Sequence, residues 1–252
     1  MSKIISIHSF RGGTGKSNTT ANVAMLLAAE GRRVAVVDTD IQSPGIHVLF
    51  GLDQATLNRT LNDYLWGRCR IEEAAHDVTP SLGVEFEGRT TFLVPSSIQP
   101  ADIAQVMREG YDVGLLNEGF RHLIEELELD VLLLDTHPGL NEETLLSIAM
   151  SNALAIIMRP DSQDYEGTSI TVAVARKLGV PRMVLVVNKT PAIFDAAEVE
   201  ARVEKTYDCE VAAVLPHSDE LMVLSSEGIF ALRHPDHPMT GLYRQIASRI
   251  MS

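Results

Sequence analysis

Ser9-Phe10-Arg11-Gly12-Gly13-Thr14-Gly15-Lys16-Ser17 follows the strand-like run Lys3–His8 and precedes a helical pattern over Ser17–Glu30. Strand, glycine-rich loop, Lys-Ser and helix, in that order, form a phosphate-binding loop. Each residue type has a physical task. Gly12, Gly13 and Gly15 let the backbone wrap closely and accept positive φ. Successive N–H groups, Thr14 included, and the helix N-terminus that opens at Ser17 and Asn18 supply positive potential. Lys16 neutralises β- and γ-phosphate oxygens, and the Ser17 hydroxyl is suited to ligate Mg²⁺.

Outward from the loop, short β-branched and aliphatic runs alternate with helical patterns. Lys3–His8, Arg33–Asp38, Val131–Asp135, Ala153–Met158, Met183–Asn188 and Val211–Leu215 are almost wholly apolar, as strands buried on both faces are. Ser17–Glu30, Tyr111–Leu127, Glu142–Asn152, Thr168–Leu178 and Asp195–Tyr207 fit helices, the first ending before Gly31. This alternation predicts an α/β fold with a doubly wound, mostly parallel sheet. Residues 51–110 break the rhythm, with short helices expected at Leu57–Trp66 and Ile71–Ala75 and an extended pair around Val84–Leu93. They read as an insertion packed on a single domain spanning residues 1–252.

Bulk properties narrow the function classes. Of 252 residues, 45% are hydrophobic and 22% charged, enough for a packed core, and the formal net charge is −13. So acidic a chain carries no strong nucleic-acid signal. Cys69 and Cys209 form no CxxC pair and read as reduced thiols. No signal-peptide-like apolar stretch and no run of bilayer length is present, so a cytoplasmic location is expected.

Two acidic strand ends accompany the loop. Asp38-Thr39-Asp40 closes the second strand, a place suited to handling Mg²⁺ and water; taken alone, such a pair equally fits a helix cap or a solvated turn. Val131–Asp135 is an apolar strand ending in a carboxylate, the Walker B form, and Asp135 is expected to hold Mg²⁺ through water.

The phosphate loop departs from an ordinary Walker A, which has Gly where this chain has Phe10. It resembles the deviant Walker A of the ParA/MinD family, K-G-G-x-x-K-[ST], and the resemblance extends over most of the chain. It implies a P-loop NTPase of the SIMIBI, MinD-like kind that binds ATP or ADP with Mg²⁺, forms an ATP-dependent homodimer and hydrolyses ATP slowly until an activator or cargo protein completes the site. In that family the first Lys of the motif reaches the partner's nucleotide; the matching residue is Arg11, which keeps the charge but is bulkier and bidentate. By the same resemblance Lys16, Asp40 and Arg11 carry catalysis, with Asp40 orienting the attacking water. Ser17, Asp38 and Asp135 serve the metal.

Asn188 matches the family's adenine-reading Asn, and Pro216-His217 its base-packing loop. Thr136-His137-Pro138-Gly139 is similar to switch II, with His137 where a small residue or Pro is usual; it fits a γ-phosphate sensor, a dimer-face residue or a plain loop histidine. Arg159-Pro160-Asp161 fits the loop after the following strand. The lack of paired cysteines argues against metal-carrying relatives, and the lack of a terminal Tyr cluster against tyrosine-kinase relatives. His234-Pro235-Asp236-His237 reads as a surface turn rather than a metal site. The last helix, Leu242–Ser252, has an apolar side and two Arg, so membrane-peripheral contact is one reading and a core helix the favoured one. The function expected is an ATPase switch in intracellular positioning or partition. A nucleotide-gated binding module with little hydrolysis, and a small-molecule synthetase or kinase, remain alternatives.

Overall fold

Buried β-branched runs lie side by side in one eight-stranded sheet of order β3-β4-β2-β5-β1-β6-β7-β8. A computed structural model describes residues 2–80, 90–224 and 227–252. In chain order the elements are β1 (Lys3–His8), α1 (Lys16–Ala29), β2 (Val34–Asp38), α2 (Ile46–Leu49), α3 (Leu61–Leu65), a 3₁₀ turn (Ile71–Ala74), β3 (His76–Asp77), β4 (Thr91–Val94), α4 (Pro100–Glu109), α5 (Val113–Glu126), β5 (Val131–Asp135), α6 (Glu142–Met150), β6 (Ala153–Met158), α7 (Ser162–Lys177), β7 (Arg182–Thr190), α8 (Ala196–Tyr207), β8 (Val211–Pro216), α9 (Asp219–Leu224), α10 (Phe230–Arg233) and α11 (Pro238–Met251). Every pairing is parallel except the short β3–β4 edge. The expected doubly wound α/β sheet is therefore observed.

The two-residue period of the strands sends alternate side chains to opposite layers. Ile5, Ile7, Val36 and Leu133 join α1, α2, α10 and α11 on one face. Val37, Leu132 and Leu134 pack with α3, α4 and α5 on the other, and Ile156, Met158 and Leu185 continue that face under α7 and α8. Helix α1 is buried without a break from Thr19 to Ala28, which accounts for its lack of a polar stripe. The apolar side of α11 (Met239, Tyr243, Ile246, Ile250) is buried in the same layer as α1. That side faces the core and is not free to lie on a bilayer. No helix among the described residues is long and apolar enough to cross a membrane.

Several boundaries differ from expectation. Helix α7 begins at Ser162, not Thr168, because Asp161 caps it by accepting from the Asp164 N–H at 3.0 Å. The polar first turns carry no apolar period to announce them. Helix α3 is confined to Leu61–Leu65 by a capping box between Thr60 and Asp63. Of the extended pair expected around Val84–Leu93, Thr91–Val94 forms β4 beside β2, its antiparallel neighbour is His76–Asp77, and residues 81–89 lie outside the described ones. Helix α4 was not foreseen: it buries only Val106.

The Phe10 side chain lies against Gly167 in α7, where a Cβ would stand 2.1 Å from Phe10 Cδ1 and 2.8 Å from Phe10 Cβ. A ring held that close to the backbone cannot swing aside cheaply. Gly167→Ala is expected to cost about 1–3 kcal/mol, the usual penalty for overpacking, read as a lower urea midpoint at unchanged slope. An unchanged midpoint would show that the ring moves freely.

Candidate functional site

The carboxyl ends of β1, β2, β5, β6, β7 and β8 open on one edge of the sheet, with β1 between β5 and β6. The loop from Ser9 to Gly15 rises from the middle strand. Gly13 and Gly15 have φ of +74° and +99°, a region costly for other residues. Gly15 opens α1 with no side-chain cap and no acidic residue in the first turn, so the first N–H groups keep their hydrogen-bonding capacity and the dipole its positive end. Thr14 Oγ1 is buried without a partner. Lys16 is buried at the start of the helix.

The loop is braced from β7. Asn188 Nδ2 donates to the Thr14 carbonyl at 2.7 Å, and Lys189 Nζ to the Gly13 carbonyl at 2.9 Å. Lys189 holds φ of +56°, and its own N–H donates to Asn188 Oδ1 at 2.8 Å. A Cβ on Gly15 would lie 2.3 Å from Asn188 Nδ2. Asn188 thus lines the cleft beside the loop with its amide turned onto the loop backbone. That cleft, about 300 Å³, is bounded by Gly15, Asn18, Asn188, Pro216 and His217, which brings the expected base-contacting residues together.

Facing the loop are two carboxylates. Asp38 and Asp135 end adjacent strands in direct register and are 0% and 2% exposed. Burial pushes Asp135 up to about 6 against the opposing pull of Lys16 and of hydrogen bonds from Ser17 and Thr20; the Thr20 hydroxyl donates to Asp135 Oδ1 at 3.1 Å. Burial, then Asp135, then Asp40 push Asp38 well above the carboxylate range, although its oxygens accept from the N–H groups of Asp40 and Gly45. Desolvation together with a nearby like charge raises a carboxyl group in this way. Among the described residues no group of three or more His, Cys, Asp or Glu side chains forms a closed cage.

Asp40 stands at the rim. Its Oδ1 accepts from His137 Nδ1 at 2.6 Å and from the Ser43 N–H at 3.1 Å. Beneath, His8 is fully buried, and its ring nitrogen Nδ1 lies 2.8 Å from Thr136 Oγ1, whose hydroxyl donates to the Ile7 carbonyl. Nδ1 therefore carries the proton. Burial first, then Lys16 and His137, hold His8 neutral with a pKa of about 3.

Arg11 is committed within its own chain. Its Nη1 lies 3.3 Å from Asp164 Oδ1 and 3.6 Å from Asp161 Oδ1. Asp164 is shared with Arg159, at 3.2 Å. The resemblance implied a contact across a dimer; here the guanidinium is folded onto the start of α7. The His234/His237 turn is a cap rather than a metal site: His237 Nδ1 accepts from the Met239 N–H at 3.1 Å.

The expected residues Gly12 to Asn18, Asp38, Asp40 and Asp135 thus meet at one place, with Asn188, Pro216 and His217 beside them. Thr20, His8, Lys189 and Asp164 were missed. Thr20 follows Lys16 by one helical turn and was legible as a residue on the same face; the other three act through contacts distant in sequence.

A family model described as ParA, NUBPL iron-transfer P-loop NTPase, matches residues 1–251. An uncharacterized ATP-binding protein of Methanocaldococcus jannaschii is 24% identical over 260 residues, covering 100% of this chain and 88% of the relative. The cell-division ATPase MinD of Pyrococcus furiosus shares the fold at a TM-score of 0.83 and 24% identity, with 100% and 99% of the two chains covered. The septum site-determining protein MinD of Pyrococcus horikoshii, a complex with Mg-ADP, does so at 0.81 and 24%, covering 98% and 95%. With the phosphate loop, the acidic strand ends and the doubly wound sheet, the match over nearly the whole length places the chain in the ParA/MinD family of P-loop NTPases.

Proposed function

We propose that this chain is an Mg²⁺-dependent ATPase that works as a dimerising switch. The observation that carries this reading is the buried, in-register pair Asp38 and Asp135, set against an uncapped helix N-terminus and Lys16. Two buried carboxylates and the Ser17 hydroxyl leave most of a cation's coordination to water and phosphate, which suits Mg²⁺. Gly12, Gly13, Thr14 and Gly15 present N–H groups to the phosphates, and Lys16 lies where β- and γ-oxygens come to rest. Asn18, Asn188, Pro216 and His217 enclose the base. Bound Mg²⁺ would supply neutralisation of the phosphate charge. Asp40 orients the water, and Arg11, once it leaves Asp161 and Asp164, is the residue free to reach a second copy. The Mg-ADP complex of the P. horikoshii MinD supports the choice of ligand. The partner that the switch controls belongs to intracellular positioning or partition.

The two cysteines lie far apart in the fold, Cys69 against the α3–α5 layer and Cys209 against α8. Burial pushes the Cys209 thiol up to about 11. One chain offers no cysteine pair to a cluster, which favours the switch over iron transfer. The ion pairs of Arg11 within its own chain favour, as the second reading, a nucleotide-gated module with little turnover.

ATP hydrolysis measured against protein concentration, beside size exclusion in ATP and in ADP, separates the two. The switch gives specific activity that rises with concentration and a dimer only in ATP; binding without hydrolysis selects the gated module. Asp40→Ala is expected to lower turnover by about 10²–10⁴-fold, the range of a positioned proton-handling group, with Mg-ATP affinity kept. Normal hydrolysis by that variant would remove Asp40 from its role.

Gly15→Ala is expected to abolish Mg-ATP binding in calorimetry, because its Cβ meets the Asn188 amide and its φ is left-handed. Retained binding would place the phosphates elsewhere.

A further inference from the structure

The Asp40 carboxylate is held unevenly. Oδ1 takes both of its hydrogen bonds, from the Ser43 N–H and from His137 Nδ1. Among the described residues, Oδ2 has no partner. The neighbouring hydroxyls are spoken for: Thr39 Oγ1 donates to the Asp135 carbonyl at 3.1 Å and Thr136 Oγ1 to the Ile7 carbonyl at 3.1 Å. His137 is thus the one side chain, among the described residues, that hydrogen-bonds to the Asp40 carboxylate. A carboxylate oxygen only accepts, so the proton lies on Nδ1 and the imidazole donates.

The χ2 torsion of an aspartate is broad and roughly two-fold. A single backbone N–H at 3.1 Å fixes one oxygen and leaves the carboxyl plane to rotate about it. A second donor at 2.6 Å from a ring that is itself three-quarters buried fixes the plane. The oxygen left over is then presented in one direction.

We infer that His137 is a positioning residue: its Nδ1–H orients Asp40 so that Oδ2 meets the attacking water, and in doing so it ties the loop after β2 to the loop after β5. This rests on the ATPase reading above. Thr39 already joins these loops through its N–H to the Asp135 carbonyl at 2.9 Å, but that bond sets the strand end and not the carboxylate. The imidazole takes no proton from substrate.

The test compares His137→Ala, His137→Asn and Asp40→Ala in the full chain. His137→Ala lowers the rate of single-turnover hydrolysis about 10–100-fold, the scale of a misplaced reacting group, while Mg-ATP affinity and melting temperature stay as in the parent. His137→Asn, whose side-chain N–H reaches near the Nδ1 position, recovers most of the rate. In the Asp40→Ala background, His137→Ala has no further effect. Parental hydrolysis by His137→Ala overturns the assignment, as does an Asn variant no better than Ala. Should the parent protein itself not hydrolyse ATP, the ATPase reading fails separately. The pair is then judged by ¹⁵N NMR of the histidines: a His137 Nδ1–H signal that Asp40→Ala displaces upholds it, and one indifferent to Asp40→Ala overturns it.

Discussion

Asp38 and Asp135 stand side by side with almost no access to water, and the surrounding architecture answers to that fact. Two carboxylates withdrawn from solvent cannot both be charged without a compensating cation. The parallel register of β2 and β5 places them together. The central position of β1 puts the glycine loop and the first turn of α1 opposite, so Lys16, Ser17 and Thr20 all act on Asp135. The apolar layers on both faces of the sheet exclude water from behind. A pair of carboxylates buried in this way is costly in the absence of a compensating charge, which is the physical basis of the proposed Mg²⁺-nucleotide site.

The sheet was readable because its strands are buried on both faces and so spell out uninterrupted apolar runs. The phosphate loop and the two acidic strand ends were readable because their chemistry is local: the spacing from Gly12 to Ser17 and the carboxylates closing β2 and β5 lie within a few residues. What escaped lacks such a local signature. The start of α7 depends on a cap at Asp161 followed by polar turns, and α4 is a largely exposed helix with one buried residue. The bracing of the loop by Asn188 and Lys189, from residues some 174 positions away, exists only after the sheet has closed. So does the placement of His8 beneath the loop after β5.

The departures at Phe10 from an ordinary Walker A and at Arg11 from the family motif are coupled in space. Phe10, in place of Gly, packs on Gly167, and Arg11, in place of Lys, pairs with Asp161 and Asp164 one to two turns earlier on the same helix. Both substitutions tie the base of the phosphate loop to α7. Both Arg11 contacts are made through the single nitrogen Nη1. On the dimerising-switch proposal, Arg11 has to give up these two ion pairs before it can reach a second copy.

Calorimetric titration of a non-hydrolysable ATP analogue, with Mg²⁺ and with EDTA, addresses the cation-bridged site most directly. Binding should be strong with Mg²⁺ and much weaker in EDTA, and Asp135→Asn should remove most of the difference between the two. Equal affinity in both buffers, or a metal dependence that survives Asp135→Asn, would contradict a site built around the buried carboxylate pair.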